Sequence, residues 1–187
     1  MDDIVIQAMA KWPNVPDCYG WLGLDARGAW FMRDAQAQAC ASFQAACASG
    51  EGNAKGKGSK LLHGKLMAFI GRNYHADDAG RWYFQNGPQR VYVELECTPW
   101  VFRVSPQADV ETHTGEPACA TEVITDELGR VYLLTDKGLG LVHTQDVLVV
   151  AQLLDAQIWP LRTVDSLRIA SDFGFVRSPV DHPVKRP

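Results

Sequence analysis

Apolar and polar residues alternate most regularly in the middle of the chain. In "GRWYFQ", Trp82 and Phe84 share one face. In "RVYVELE", Val91, Val93 and Leu95 alternate with Tyr92, Glu94 and Glu96. In "PWVFRV", Trp100, Phe102 and Val104 alternate with Val101 and Arg103. A period of two over three runs joined by short turns predicts an antiparallel meander with one dry and one wet face. Trp82, Val93, Trp100 and Phe102 are then buried together, and Glu94 and Arg103 face outward. Pro99 opens the third run, where a missing N–H is tolerated.

Elsewhere the period lengthens to that of a helix. Residues 2–12 form a short helix capped by Asp2 or Asp3, with Ile4, Ile6, Ala8 and Met9 as contacts, ended by Pro13 and Pro16. A helix from a Ser59 cap to about Tyr74 carries Leu62, Leu66, Phe69 and Ile70 on one face. A third, capped by Thr144, runs through about Leu154. "YGWLGLDARGAWFM" reads as a hairpin, and "TEVIT", "GRVYLLT" and "LGLVH" as a second set of strands. Residues 34–58 are Ala/Gln-rich, a composition that suits a weak helix, and then Gly/Lys-rich. They are expected to be a flexible insertion, with 50–58 mobile and dispensable. A phosphate loop is excluded there, because Glu51 and Gly58 stand where Gly and Ser or Thr are needed.

One pattern recurs: "DARGAWF" at 25–31, "DDAGRWYF" at 77–84 and "DELGRVY" at 126–132. Asp at the first position of a type I turn accepts a hydrogen bond from the backbone ahead. Gly at the fourth takes the left-handed conformation of a bulged hairpin loop, and aromatic or β-branched residues start the next strand. Gly28, Gly80 and Gly129 lie roughly 50 residues apart, a spacing that suggests repeated units. The expected fold is α+β: two related halves, each with helices packed on a small antiparallel sheet. They are residues 1–104 and 121–175, with 105–120 as connector and a loose Pro-rich tail.

The chain has 187 residues and a formal charge of −4. That length buries a sizeable core without metal or disulfide staples. The mild acidity argues against a nucleic-acid binder. Cys18, Cys40, Cys47, Cys97 and Cys119 are irregularly spaced with no C-x-x-C, as expected of reduced thiols in a cytoplasmic protein. No signal peptide or membrane-length apolar run is apparent.

The segment 63–104, with "DARGAW" before it and "DELGRVYLL" after, resembles proteobacterial families of unknown function. Those families share a D-x-x-G-x-W hairpin, a helix, and further D-x-x-G strands reaching a Pro-aromatic corner, here Thr98, Pro99 and Trp100. The resemblance covers roughly residues 18–150 and rests mostly on structural motifs. It implies repeated α+β motifs and a signalling or sensing role. The 34–58 insertion and the tail depart from it.

Chemistry is sparse. There is no G-x-S-x-G, no H-E-x-x-H and no strand-borne G-x-G-x-x-G. His75 near Asp77 and His143 near Asp146 sit at element ends, where such residues cap and turn. Cys97 has no basic neighbour in sequence to lower its pKa. The most suggestive set is Arg/Tyr-rich: Arg72, Tyr74, Arg90, Tyr92, Glu94 and Arg103, several of them on the wet face, which reads either as a solvated sheet face carrying cross-strand ion pairs or as a ligand or partner surface. The function expected is a non-catalytic sensing or interaction module, a monomer or weak homodimer. Its partner is a small molecule or protein, with no cofactor, metal, nucleic acid or membrane. The alternative is an enzyme with scattered residues, which needs a deep pocket joining several of His63, His75, His113 and His143 with carboxylates.

Overall fold

The computed structural model describes residues 1–49 and 54–183. The chain is α+β, with two sheets of six and seven strands and a few short helices. It divides into two compact units. The first comprises Met1–Asp25, Ala29–Glu96 and Phe175–Pro187, the second Ala26–Gly28 and Cys97–Gly174. Among the described residues no helix is long and apolar enough to cross a membrane.

The first unit carries α1 (Asp3–Lys11), β1 (Cys18–Leu24), β2 (Trp30–Met32), α2 (Ala35–Cys40), α3 (Phe43–Ala48), α4 (Ala54–Lys57), β3 (Ser59–Lys60), α5 (Gly64–Arg72), β4 (Tyr74–Ala76), β5 (Trp82–Asn86) and β6 (Gln89–Leu95). Its sheet order is β3-β2-β1-β6-β5-β4. β1 and β6 run parallel, with Leu22 opposite Val93 and Leu24 opposite Leu95, while β5 and β6 form an antiparallel hairpin. Leu22, Leu24, Phe84 and Val93 are buried on one face. There α5 sets Phe69 edge-on to Phe84 at 5.4 Å. On the other face, Gly23 lets Phe43 of α3 approach: a Cβ at Gly23 would stand 2.5 Å from that ring.

The second unit carries β7 (Trp100–Val104), β8 (Val110–Thr112), β9 (Pro117–Ala118), β10 (Ala120–Asp126), β11 (Val131–Thr135), β12 (Gly138–Val142), α6 (Val147–Asp155), β13 (Leu161–Val164) and α7 (Ile169–Asp172). Its order is β13-β10-β11-β12-β7-β8-β9. β10–β11–β12 is an antiparallel meander, while β12–β7 and β10–β13 are parallel pairs. Phe102, Val123, Ile124, Tyr132, Leu133 and Val150 are fully buried.

The recurring turns have one geometry. Gly28, Gly80 and Gly129 have φ of 77°, 76° and 75°. Asp77 Oδ1 accepts from the Ala79 and Arg81 amides, and Asp126 Oδ1 from the Leu128 and Arg130 amides. Asp25 Oδ1 accepts from the Ala29 amide at 2.8 Å. Each second carboxylate oxygen meets a cation: Lys57 at 3.1 Å, Arg81 at 2.8 Å and Arg130 at 2.6 Å.

Several expectations are corrected. The sheets are mixed rather than antiparallel. The third run of the expected meander, β7, pairs with β8 and β12 in the second unit instead of with β6. Val93 and Trp82 therefore belong to a different core from Trp100 and Phe102, and Trp82 is only half-buried. The expected connector carries β8 and β9, and the tail returns to the first unit, where the Leu95 amide donates to the Arg177 carbonyl at 2.8 Å. The insertion expected to be flexible is ordered where it is described: its Ala/Gln-rich half is helical, as its composition suits, in α2 and α3, and α4 follows. Arg33, 3% exposed, knits it together by donating to the Gly56 carbonyl at 3.0 Å and the Ala41 carbonyl at 2.5 Å. Residues 50–53 lie outside the described residues. Helix caps also differ. His63 Nδ1 caps α5, so Ser59 falls in β3 and Tyr74 opens β4. Asp146 rather than Thr144 precedes α6. In α1 only Val5 is buried, with Ile4 and Ile6 exposed.

Candidate functional site

The tip of the β5–β6 hairpin builds a cleft in the first unit. Gln85 and Arg90 are directly opposed across the ladder, so their side chains leave the same face about 5 Å apart at Cβ. Helix α1 ends at Trp12, because Pro13 and Pro16 cannot continue it. The segment that follows is fastened to the hairpin by Gln89, whose Nε2 donates to the Pro16 carbonyl at 3.1 Å. Between them lies a cavity of about 300 Å³ lined by Met9, Trp12, Pro13, Val15, Asp17, Gln85, Pro88 and Arg90.

The chemistry of this cleft is unbalanced. Gln85 is 1% exposed. Its Nε2 donates to the Gly87 carbonyl at 2.8 Å, which fixes the amide orientation, and its Oε1 has no hydrogen-bond partner. That oxygen is buried away from the cavity, where an unpaired acceptor is costly. Arg90 lies with its guanidinium 4.9 Å over the Tyr83 ring. Burial works to lower its pKa, but Tyr92, Tyr83 and Asp17 outweigh it and the net shift is upward, so Arg90 keeps its charge. Trp12 is 51% exposed, with Lys11 Nζ 4.5 Å over its ring.

The other residues expected to form a site do not join Arg90 there. Arg72 is exposed and pairs with Asp2 through two nitrogens at 3.0 Å. Tyr74 is buried against Trp30 and Trp82, and burial pushes its hydroxyl pKa well up. Tyr92 is buried, stacks on Tyr19 at 4.6 Å and donates its hydroxyl to Asp77 at 3.1 Å; burial raises its pKa. Arg103 belongs to the second unit, where it grips Asp146 at 2.5 and 3.1 Å.

Glu94 corrects the expected wet face most sharply. It is 1% exposed rather than outward-facing. Its carboxylate accepts from Ser178 Oγ at 2.8 Å, the Val180 amide at 3.2 Å and Gln44 Nε2 at 3.5 Å. Burial raises its pKa, and these donors and the Arg33 charge only partly offset that. The polar face of β6 is thus covered by the insertion and the returning tail, and Glu94 fastens both.

Two further pockets differ in character. In the second unit a cavity of about 410 Å³ is lined by Arg103, Asp109, Glu111 and Asp146 among others, but its one cation is already neutralised by Asp146. In the first unit, an apolar groove of about 270 Å³ lies between α5 and the sheet, edged by Trp21, Met32 and Leu66. None of His63, His75, His113 and His143 lines any of these three pockets. His63 and His143 accept backbone amides at element ends. Among the described residues no cluster of three or more His, Cys, Asp or Glu could hold a metal.

Sequence reasoning missed Gln85, Trp12 and the Arg103–Asp146 pair. The first carries no motif, and the last joins residues far apart in the chain. Cys97, which has no basic neighbour in sequence, has Tyr132 Oη at 3.8 Å and Arg130 Nη1 at 4.0 Å.

Two solved structures show some similarity to the chain. One is a DUF1285 family protein from Silicibacter pomeroyi DSS-3, at 14% identity and a TM-score of 0.47, covering 83% of this chain and 84% of that one. The other is a DUF1285 family protein from Shewanella baltica OS155, at 17% identity and a TM-score of 0.44, covering 71% and 91%. No curated protein matches the chain. The sequence model of DUF2944, described as "Protein of unknown function (DUF2946)", matches residues 1–180, and the chain belongs to that family.

Proposed function

We propose that the protein is a non-catalytic binding module, with a small-molecule site in the Trp12–Arg90 cleft of its first unit. One observation carries this: a cavity of about 300 Å³ in the first unit is lined by the charged residues Arg90 and Asp17 together with the half-exposed Trp12. The cavity has the volume of a small-ligand site. The nucleophile–base–orienter geometry that catalysis requires does not meet there. Arg90 keeps its place in the expected site, whereas Arg72, Tyr74, Tyr92, Glu94 and Arg103 are engaged elsewhere. A sensing or signalling role belongs to the same proposal, as do a cytoplasmic location and a monomer or weak homodimer. So does a common ancestry of the two units, for which the shared Asp77–Arg81 and Asp126–Arg130 turn geometry is the support.

The test is a screen of small carboxylates, phosphates and amines by amide and indole NMR shifts. Binders are expected to move the Trp12 indole and Gln85 side-chain signals and to lose this effect in Arg90→Ala. If every binder maps instead to the Arg103 cavity or the apolar groove, the cleft is not the site.

A further inference from the structure

We propose that the polar side of β6 and the turn before β5 form a peptide-docking groove, which the chain's own tail fills in the monomer and the tail of a second copy fills in a dimer. The groove is separate from the Trp12–Arg90 cleft, and either can fail without the other. Its occupant is seen in place. Val176 forms a parallel bridge with Arg81, its amide donates to the Gly80 carbonyl at 2.9 Å, and the Leu95 amide donates to the Arg177 carbonyl at 2.8 Å. Main-chain bonds of this kind fasten an extended segment to a sheet, and the sites of its side chains supply the choice of sequence. Phe175 is 7% exposed and Pro179 is buried, so both are anchors. Between them Ser178 Oγ donates to the Glu94 carboxylate at 2.8 Å, and the Val180 amide donates to its other oxygen at 3.2 Å. Glu94 is itself buried, and a buried carboxylate stripped of donors is costly, so the groove favours a hydroxyl at that position. The pattern read is thus Phe175, Ser178 and Pro179, with Arg177 donating to the Glu96 carbonyl.

Two features let that segment come from another copy. The groove residues Gly80, Arg81, Glu94, Leu95 and Glu96 all belong to the first unit, whereas the chain enters the tail from the second unit at Gly174. Gly174 has φ of 67° and no atom within 4 Å of where a Cβ would stand, so this joint changes direction at little cost. A tail from a second copy makes every one of these contacts. The closed and exchanged forms therefore differ at the joint and in the entropy of association. The tether gives the chain's own tail a high effective concentration, so exchange is expected at high protein concentration.

The experiment follows the full chain by light scattering at rising concentration, beside two variants and a labelled peptide of residues 175–183. The wild type is expected to form a dimer at high concentration. Deletion of Gly174 shortens the joint, so that the tail reaches its own groove less readily, and is expected to strengthen the dimer by about tenfold or more. Ser178→Glu sets a second carboxylate against Glu94 and is expected to stay monomeric. In fluorescence anisotropy the wild-type peptide is expected to bind the Ser178→Glu protein about tenfold or more tightly than the wild type, because the protein's own tail no longer holds the groove. The same substitution in the peptide is expected to abolish its binding to both. Should Ser178→Glu or the deletion fail to fold, the wild-type dimer and Ser178→Ala, with the same ordering at smaller size, decide the point. A dimer undiminished by Ser178→Glu places the interface elsewhere and overturns tail exchange. Peptide binding as expected, with the wild type and the deletion monomeric at every concentration, overturns the second copy as occupant and leaves the groove to a segment of another protein. No peptide binding to either protein overturns the groove itself.

Discussion

At the turn glycines a single atom decides the backbone. Gly80 has φ of 76° because the Asp77 carboxylate draws the chain round to bond the Ala79 and Arg81 amides. A β-branched residue resists that region, so Gly80→Val is expected to cost about 1–3 kcal/mol in urea unfolding. An unchanged midpoint would show that the turn relaxes freely. The carboxylates of these turns also set a pH dependence. Burial works to raise the Asp126 pKa above its ordinary 3.8, but the Arg130 amide, the Tyr132 hydroxyl and the Arg130 guanidinium outweigh it and the net shift is downward. A depressed carboxyl contributes stability that is fully present above its unfolded pKa and is lost as pH falls through the folded value. Asp126→Asn is therefore expected to be less stable than wild type at pH 6 and to lose less of its stability between pH 5 and pH 2. Parallel pH profiles for the two proteins would refute the assignment.

Among the elements, the Ala-rich insertion shows how a weak local signal becomes core. Its helices are short, and six residues of α3 are marginal alone. What holds them is tertiary: Phe43 is fully buried on Gly23, and Arg33 donates to carbonyls of the surrounding turns. Phe43→Ala is expected to cost about 3–5 kcal/mol through lost transfer and a cavity, measured by thermal or urea unfolding. A change under about 1 kcal/mol would return the insertion to the dispensable segment its composition suggests. For the same reason, deletion of 50–58 is expected to destabilise rather than be neutral: it removes the Gly56 carbonyl that Arg33 uses and the Lys57 partner of Asp25.

The whole molecule is assembled by segments that return from far along the chain. The first unit recruits Phe175–Pro187. There the Leu95 amide donates to Arg177, the Val176 amide donates to Gly80, and Ser178 and Val180 satisfy Glu94. Ending the chain after Gly174 strips the buried Glu94 carboxylate of two of its donors. Hydrogen exchange is then expected to accelerate at β5 and β6 amides, while the β10–β12 meander, paired within itself and not with the tail, keeps its rates. Uniform acceleration, or none, would contradict the division of labour between tail and meander.

Much of the local structure was legible in the residues. The turns follow from Asp and Gly chemistry within five positions, and the β5, β6 and β7 runs from their alternation of period two, because both depend on neighbours in sequence. Strand partnership was not legible. Alternation tells which residues share a face and is silent on whether β7 continues the β6 hairpin or joins a second sheet, since either buries the same face. The dry and wet sides failed for a related reason. Tyr92 and Glu94 alternate correctly with Val91, Val93 and Leu95, but an insertion and a tail cover the polar side, and only the fold brings Ser178 to Glu94 across 84 positions. The cleft lies at the same limit. Arg90 stood out by its type, whereas Trp12 joined it only once the fold had brought the end of α1 to the β5–β6 hairpin.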